Sequence, residues 1–124
     1  MNKKSKEQKK IDFALSKLKK WWIEHYPLCI FCLNLVTQQQ IDNREADLCH
    51  KIRRSEAVEG YTRFELQTLK LNTGLGHRIC HEIFDDNPEK AVELLGFNQI
   101  MCDIRAISQQ TYDRLMNLLY NKNK

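Results

Sequence analysis

Two short pairs of metal-type side chains constrain this chain more than any other feature of it: Cys29-x2-Cys32 and, well downstream, His77-x2-Cys80. Zinc takes four nitrogen or sulfur ligands at the corners of a tetrahedron, commonly as two close pairs from separated segments. Both pairs sit where a backbone can turn, the first after Pro27 and the second after Gly74 and Gly76. A Cys3His zinc site of Cys29, Cys32, His77 and Cys80 follows, and with all four positions filled its zinc is structural. Cysteines also serve as small buried hydrophobes, but two pairs of equal spacing in a chain with five Cys and four His favour metal. Spacing alone leaves open the exchange of His81 or Cys49 into the set. An odd number of cysteines and no export signal argue against a full disulfide framework.

A chain of 124 residues is expected to form one domain, with 42% hydrophobic and 29% charged residues ordinary for a globular protein. Four Gly and two Pro favour helices over a loop-rich, all-β architecture. No apolar run approaches the ~20 residues of a membrane span, and the polar N-terminus lacks a signal core, so a cytoplasmic location is expected, that of the host cell if a phage encodes the chain. The net charge of +4 is unevenly spread: residues 1–20 hold eight Lys against Glu7 and Asp12. Such a segment suits a polyanion, whose condensed counterions it would release, and equally suits a solvated helix face.

Ile11, Leu15, Leu18 and Trp22 recur at helical spacing and predict a helix over 5–25, ended by Pro27. Trp21 and Trp22 anchor it, one of them available to stack on a base, while His25 fits no pattern. An apolar knuckle (28–36), a polar loop or turn (37–45) and a short strand (46–53) follow. Residues 55–71 fit neither period cleanly. Gly74 and Gly76 predict a tight turn around Leu75, and a helix starts at His77. Pro88, with Asp86 or Asn87 as cap, opens a helix over 88–95 that Gly96 closes. A last helix, 108–121, carries Tyr112, Leu115, Leu118 and Leu119 on one face, and Cys102 reads as a core residue.

His50, Asn72 and His81 stand in an order of their own. His81 follows Cys80, and one helical step turns it about 100° toward a second site beside the zinc. His50 lies at the end of the expected strand and is followed by Lys51, Arg53 and Arg54; Asn72 precedes the glycine pair. Taken singly, each is an ordinary surface or turn residue. Taken in order, with the zinc pairs, residues 28–90 resemble the HNH endonucleases of the ββα-metal class, with His77 where that family commonly has Cys. The basic run after His50 is similar to that of phage recombination and host-defence members.

The resemblance implies roles. His50 would be the general base activating water, and Asn72 would orient its ring through a side-chain amide hydrogen bond. His81 would hold a catalytic divalent metal (Mg, Mn, Ni or Zn), while Lys51, Arg53 and Arg54 would position DNA phosphates. The family usually has Asp or His before the catalytic His, as a further metal ligand. Here that residue is Cys49, softer and zinc-favouring, with Asp47 two residues away as a substitute.

The expected fold is α+β, mostly helical: a zinc-bound ββα-metal, treble-clef-like core (28–90) between a basic N-terminal helix (1–26) and C-terminal helices (91–124). The expected function is metal-dependent hydrolysis of DNA phosphodiester bonds. Two rivals are a zinc-stabilised module that binds nucleic acid without cutting it, its site lost at Cys49, and a zinc-stapled accessory protein docking on a larger phage or host nucleic-acid-processing complex.

Overall fold

The computed structural model describes residues 5–122, so Lys3 and Lys4 of the lysine-rich start lie outside the described residues. The first helix, α1 (Lys6–His25), begins at Ser5, whose hydroxyl accepts from the Gln8 amide, and ends before Pro27. Its apolar stripe buries Ile11 completely and sets Trp22 against the core. The Trp22 indole donates to Thr73 Oγ1 at 3.1 Å, an anchor 51 residues away in sequence.

After α1 the chain makes the expected knuckle. Leu28 pairs with Leu35 as an antiparallel bridge, and Cys29 pairs with Leu75 in parallel. Leu33 carries the turn with a φ of +65°, a left-handed conformation that costs a residue with a Cβ roughly 1–2 kcal/mol. The polar stretch after it contains a short helix, α2 (Gln38–Asp42), opened by a reciprocal capping box between Thr37 and Gln40.

Strand β1 (Ala46–His50) pairs antiparallel with β2 (Thr73–His77), Ala46 opposite His77 and His50 opposite Thr73. Between them lie α3 (Arg63–Thr68), opened by a second capping box of Thr62 and Glu65, and a single 3-10 turn, Lys70–Asn72. The segment without a clear period is therefore part loop and part short helix. The expected tight turn at Gly74 and Gly76 is instead the middle of β2. These glycines are needed for close packing: a Cβ on Gly74 would lie 2.4 Å from Ile30, and one on Gly76 would lie 2.7 Å from the Phe31 ring and 2.8 Å from Cys49 Sγ.

Helix α4 (Arg78–Asp86) follows β2 directly, with His77 as its N-cap. The helix expected over 88–95 is a single turn, α5 (Pro88–Ala91), capped by Asn87. Gly96 does not end that helix but caps the next, α6 (Phe97–Ile107). It has no room for a side chain, since a Cβ there would sit 1.7 Å from the Ile30 carbonyl oxygen. Helix α6 buries Phe97, Ile100, Met101, Ile104 and Ile107, leaving Cys102 on its exposed side rather than in the core. Ser108 then caps the last helix, α7 (Gln109–Lys122), through the Thr111 amide.

The molecule is thus α+β and mostly helical, with one two-stranded sheet among the described residues. Cys29, Phe31, Cys49, Ile52, Leu66, Leu75 and the inner face of α6 share one core cluster. Among the described residues no helix is long and apolar enough to cross a membrane.

Candidate metal centre and active site

The knuckle and the start of α4 bring Cys29, Cys32, His77 and Cys80 together, their ligand atoms all within 4.8 Å of one another. A tetrahedron with zinc bonds of about 2.0–2.3 Å has edges of roughly 3.3–3.8 Å, and Cys32 Sγ lies 3.3 Å from His77 Nδ1. These four residues can hold a zinc ion, as their spacing predicts; His81 and Cys49 are not in the set. The surroundings suit a thiolate-metal centre. Cys29 Sγ accepts from the backbone amides of Cys32 and His77, at 3.5 and 3.4 Å. His77 turns Nδ1 to the centre and sets Nε2 3.2 Å from Gln40 Oε1, which fixes the tautomer and ring plane of a metal-ligating histidine. Burial, then the neighbouring Cys29 and Cys32 thiols, push the Cys80 thiol up to about 12. A dication is what brings such a cluster into its thiolate form.

At the end of β1, His50 sets Nε2 2.8 Å from the Gln67 carbonyl oxygen, delivered by α3. A carbonyl only accepts, so the proton sits on Nε2 and Nδ1 keeps its lone pair. Burial, opposed in part by that bond and reinforced by Arg54 and His81, holds the His50 pKa below its ordinary value. The ring is therefore neutral at pH 7.

The orienting bond is not the one expected. Asn72 is buried and gives its amide to the backbone: Oδ1 accepts from the Ile52 amide at 2.7 Å, while Nδ2 donates to the carbonyls of Leu66 and Ile52 at 3.1 and 3.4 Å. It thereby ties the segment after His50 to α3, whose Gln67 carbonyl holds the ring, and its own main-chain carbonyl accepts from the Lys51 amide at 2.8 Å. Gln67 carried no sequence signal, because a main-chain oxygen does the work.

His50 lines a cleft of about 610 Å³ together with His81, Cys49 and Asp47. The trio His81, Cys49 and Asp47 expected to hold a catalytic metal is not assembled as a ligand set, the zinc-type cluster being the only such grouping among the described residues. Cys49 is buried and its thiol is raised to about 12, chiefly by burial and then by Cys29 and nearby carboxylates, so it stays protonated and uncharged. Its Sγ donates to the Asp47 carbonyl at 3.6 Å. Asp47 is exposed; its carboxylate accepts from the Leu48 amide at 2.7 Å and pairs with Lys19 of α1 at 2.9 Å. His81 stacks on Phe31, ring centres 5.6 Å apart. Its Nε2 lies 3.2 Å from Asp85 Oδ2, one helical turn on, in the same cleft. Asp85 was legible only as the residue four positions after His81.

The basic residues divide. The Lys51 ammonium is withdrawn from solvent, bonded to Asp103 Oδ2 of α6 at 2.6 Å and to the Leu71 carbonyl at 3.0 Å. The expectation that Lys51 meets phosphates is corrected: it is a half-buried ion-pair partner of Asp103. Arg53 and Arg54 do line the cleft, as does Lys19. Arg54 Nε donates to Gln67 Oε1 at 2.9 Å, and its Nη2 lies 3.9 Å from Asp12 of α1. One residue, Gln67, thus holds both the His50 ring and the Arg54 guanidinium. Trp21 stacks on His25, ring centres 4.6 Å apart, beneath the Lys70 ammonium.

Compared with family models, curated proteins and solved structures, the chain finds no match in any of the three.

Proposed function

We propose that the chain is a metal-dependent endonuclease of the HNH type that hydrolyses DNA phosphodiester bonds, its strand pair and following helix forming a zinc-bound ββα-metal, treble-clef-like core. One observation carries the reading: a neutral histidine with its proton fixed on Nε2 lines a cleft with an imidazole–carboxylate pair and three cations. Such a histidine is prepared to accept a proton at Nδ1 at neutral pH.

In this reading Arg53, Arg54 and Lys19 hold backbone phosphates along the cleft. Water attacks phosphorus, its proton passes to His50 Nδ1, the bond to the leaving oxygen breaks, and solvent protonates that oxygen. The imidazolium formed is steadied by the Gln67 carbonyl at its other nitrogen. His81 would hold a divalent metal, which would supply stabilisation of the charge growing on the phosphate and the leaving oxygen. Five free cysteines and a zinc-type thiol cluster fit a reducing, cytoplasmic setting.

The test is conversion of supercoiled plasmid to nicked or linear DNA by the zinc-loaded protein with Mg or Mn, and its loss with chelator. A second reading, a zinc-stabilised module that binds nucleic acid without cutting it, is favoured by one observation, the buried Cys49 sulfur where a metal ligand is expected. It predicts binding to the plasmid and no strand breaks with any divalent metal.

A further inference from the structure

The nuclease reading needs a hard, charged ligand in the cleft that the position before His50 does not supply. Mg and Mn bind oxygen in preference to sulfur, and Cys49 presents only a buried sulfur. Asp47 is engaged at the cleft edge by Lys19 and by its own strand. Asp85 differs from both. Its Oδ2 is 3.2 Å from His81 Nε2, close to the ~3.0 Å that separates neighbouring ligands of an octahedron with bonds of about 2.1 Å. Its other oxygen, Oδ1, lies 3.8 Å from Arg53 Nε, and the Arg53 guanidinium also donates to the Asp85 carbonyl at 3.3 Å. The carboxylate is therefore steered from one side while its second oxygen stays beside the imidazole.

The pair is more than a solvated helix rung. Helix α4 has such a rung elsewhere, Arg78 with Glu82, both largely exposed. His81 and Asp85 instead share the cleft with His50, and His81 is fixed by its stack on Phe31.

Resting on the nuclease reading, we propose that Asp85, with His81, is the protein's seat for the catalytic divalent cation, taking over the carboxylate role that Cys49 cannot fill. Two protein ligands leave most of the coordination sphere to water and phosphate oxygens, the usual arrangement for Mg.

The experiment is Mn titration of the zinc-loaded protein, followed by the spectrum of free Mn and by calorimetry, without DNA. Wild type should bind one Mn beyond its zinc. Asp85→Asn should weaken that binding at least tenfold, with zinc content and helical signal unchanged, and Asp85→Glu should restore part of it. Cys49→Ser and Asp47→Asn should stay within about twofold of wild type. Wild-type affinity in Asp85→Asn, an equal loss in Cys49→Ser, or no Mn bound by wild type would overturn the assignment. The plasmid assay separates the two claims: cleavage that coexists with unaltered Mn binding in Asp85→Asn removes Asp85 and leaves the nuclease standing. Mn bound through Asp85 with no cleavage does the reverse.

Discussion

A histidine that acts as a base near neutral pH must keep one nitrogen unprotonated and aimed at its water. In His50 one main-chain oxygen, that of Gln67, keeps the proton on Nε2, and burial disfavours the charged ring. Because the His50 pKa lies below its ordinary value, the rate should rise with pH through a midpoint below pH 6.5, measured as cleavage rate against pH. The same shift bears on stability. The unfolded state binds the proton more readily, so the contribution is complete above about pH 6.5 and is lost as pH falls toward the folded pKa. Asn72 tests a different link. Asn72→Ala strips three buried main-chain groups of their partner, and urea unfolding should register a loss of about 3 kcal/mol. The sequence placed His50, Asn72 and His81 in order but could not say which bond orients the ring. Main-chain acceptors such as Gln67 have no side-chain signature, and an amide beside a histidine in sequence logic can be spent on backbone in space.

The elements around the zinc-type centre have little intrinsic stability of their own. Strands β1 and β2 make only a two-stranded sheet, which alone is marginal in water, and Leu33 holds an unfavourable left-handed turn. Zinc binding free energy contributes directly to such a fold. Cys29→Ser should therefore lower the melting temperature by tens of degrees or leave the chain unfolded, read by circular dichroism, and chelation of wild type should do the same. This centre was the most legible part of the chain, since ligand chemistry demands fixed residue types at fixed spacing. The elements read less well had local signals of another kind. Helices α2 and α3 are announced by Thr37 with Gln40 and by Thr62 with Glu65, capping boxes rather than hydrophobic periods. Gly74, Gly76 and Gly96 resemble turn residues in sequence, yet they are small because Ile30 and Phe31 press on them, a long-range fact that no local pattern carries.

At the scale of the molecule, α1 forms one wall of the cleft and supplies a cation to it, so the lysine-rich segment and the histidine site belong to one surface. Each cleft cation meets a carboxylate: Lys19 with Asp47, Arg53 with Asp85, Arg54 with Asp12. Arriving phosphates would exchange with those partners, and DNA affinity should fall steeply with salt. Arg54→Gln should reduce the slope of log affinity against log salt by about 1. Lys51→Ala should leave that slope unchanged and lower stability by about 1–2 kcal/mol, because Asp103 loses its half-buried ammonium but keeps the bond from Gln99. The proposed hydrolysis turns on His50 as the base. The deciding measurement is plasmid cleavage by the purified, zinc-loaded protein, wild type beside His50→Ala, with Mg, Mn, Ni and Zn in turn. His50 as the base predicts strand breaks by wild type with at least one metal, and a rate at least ~100-fold lower in His50→Ala at equal zinc content and DNA affinity. Equal cleavage by both proteins, or none by either with every metal, would contradict it.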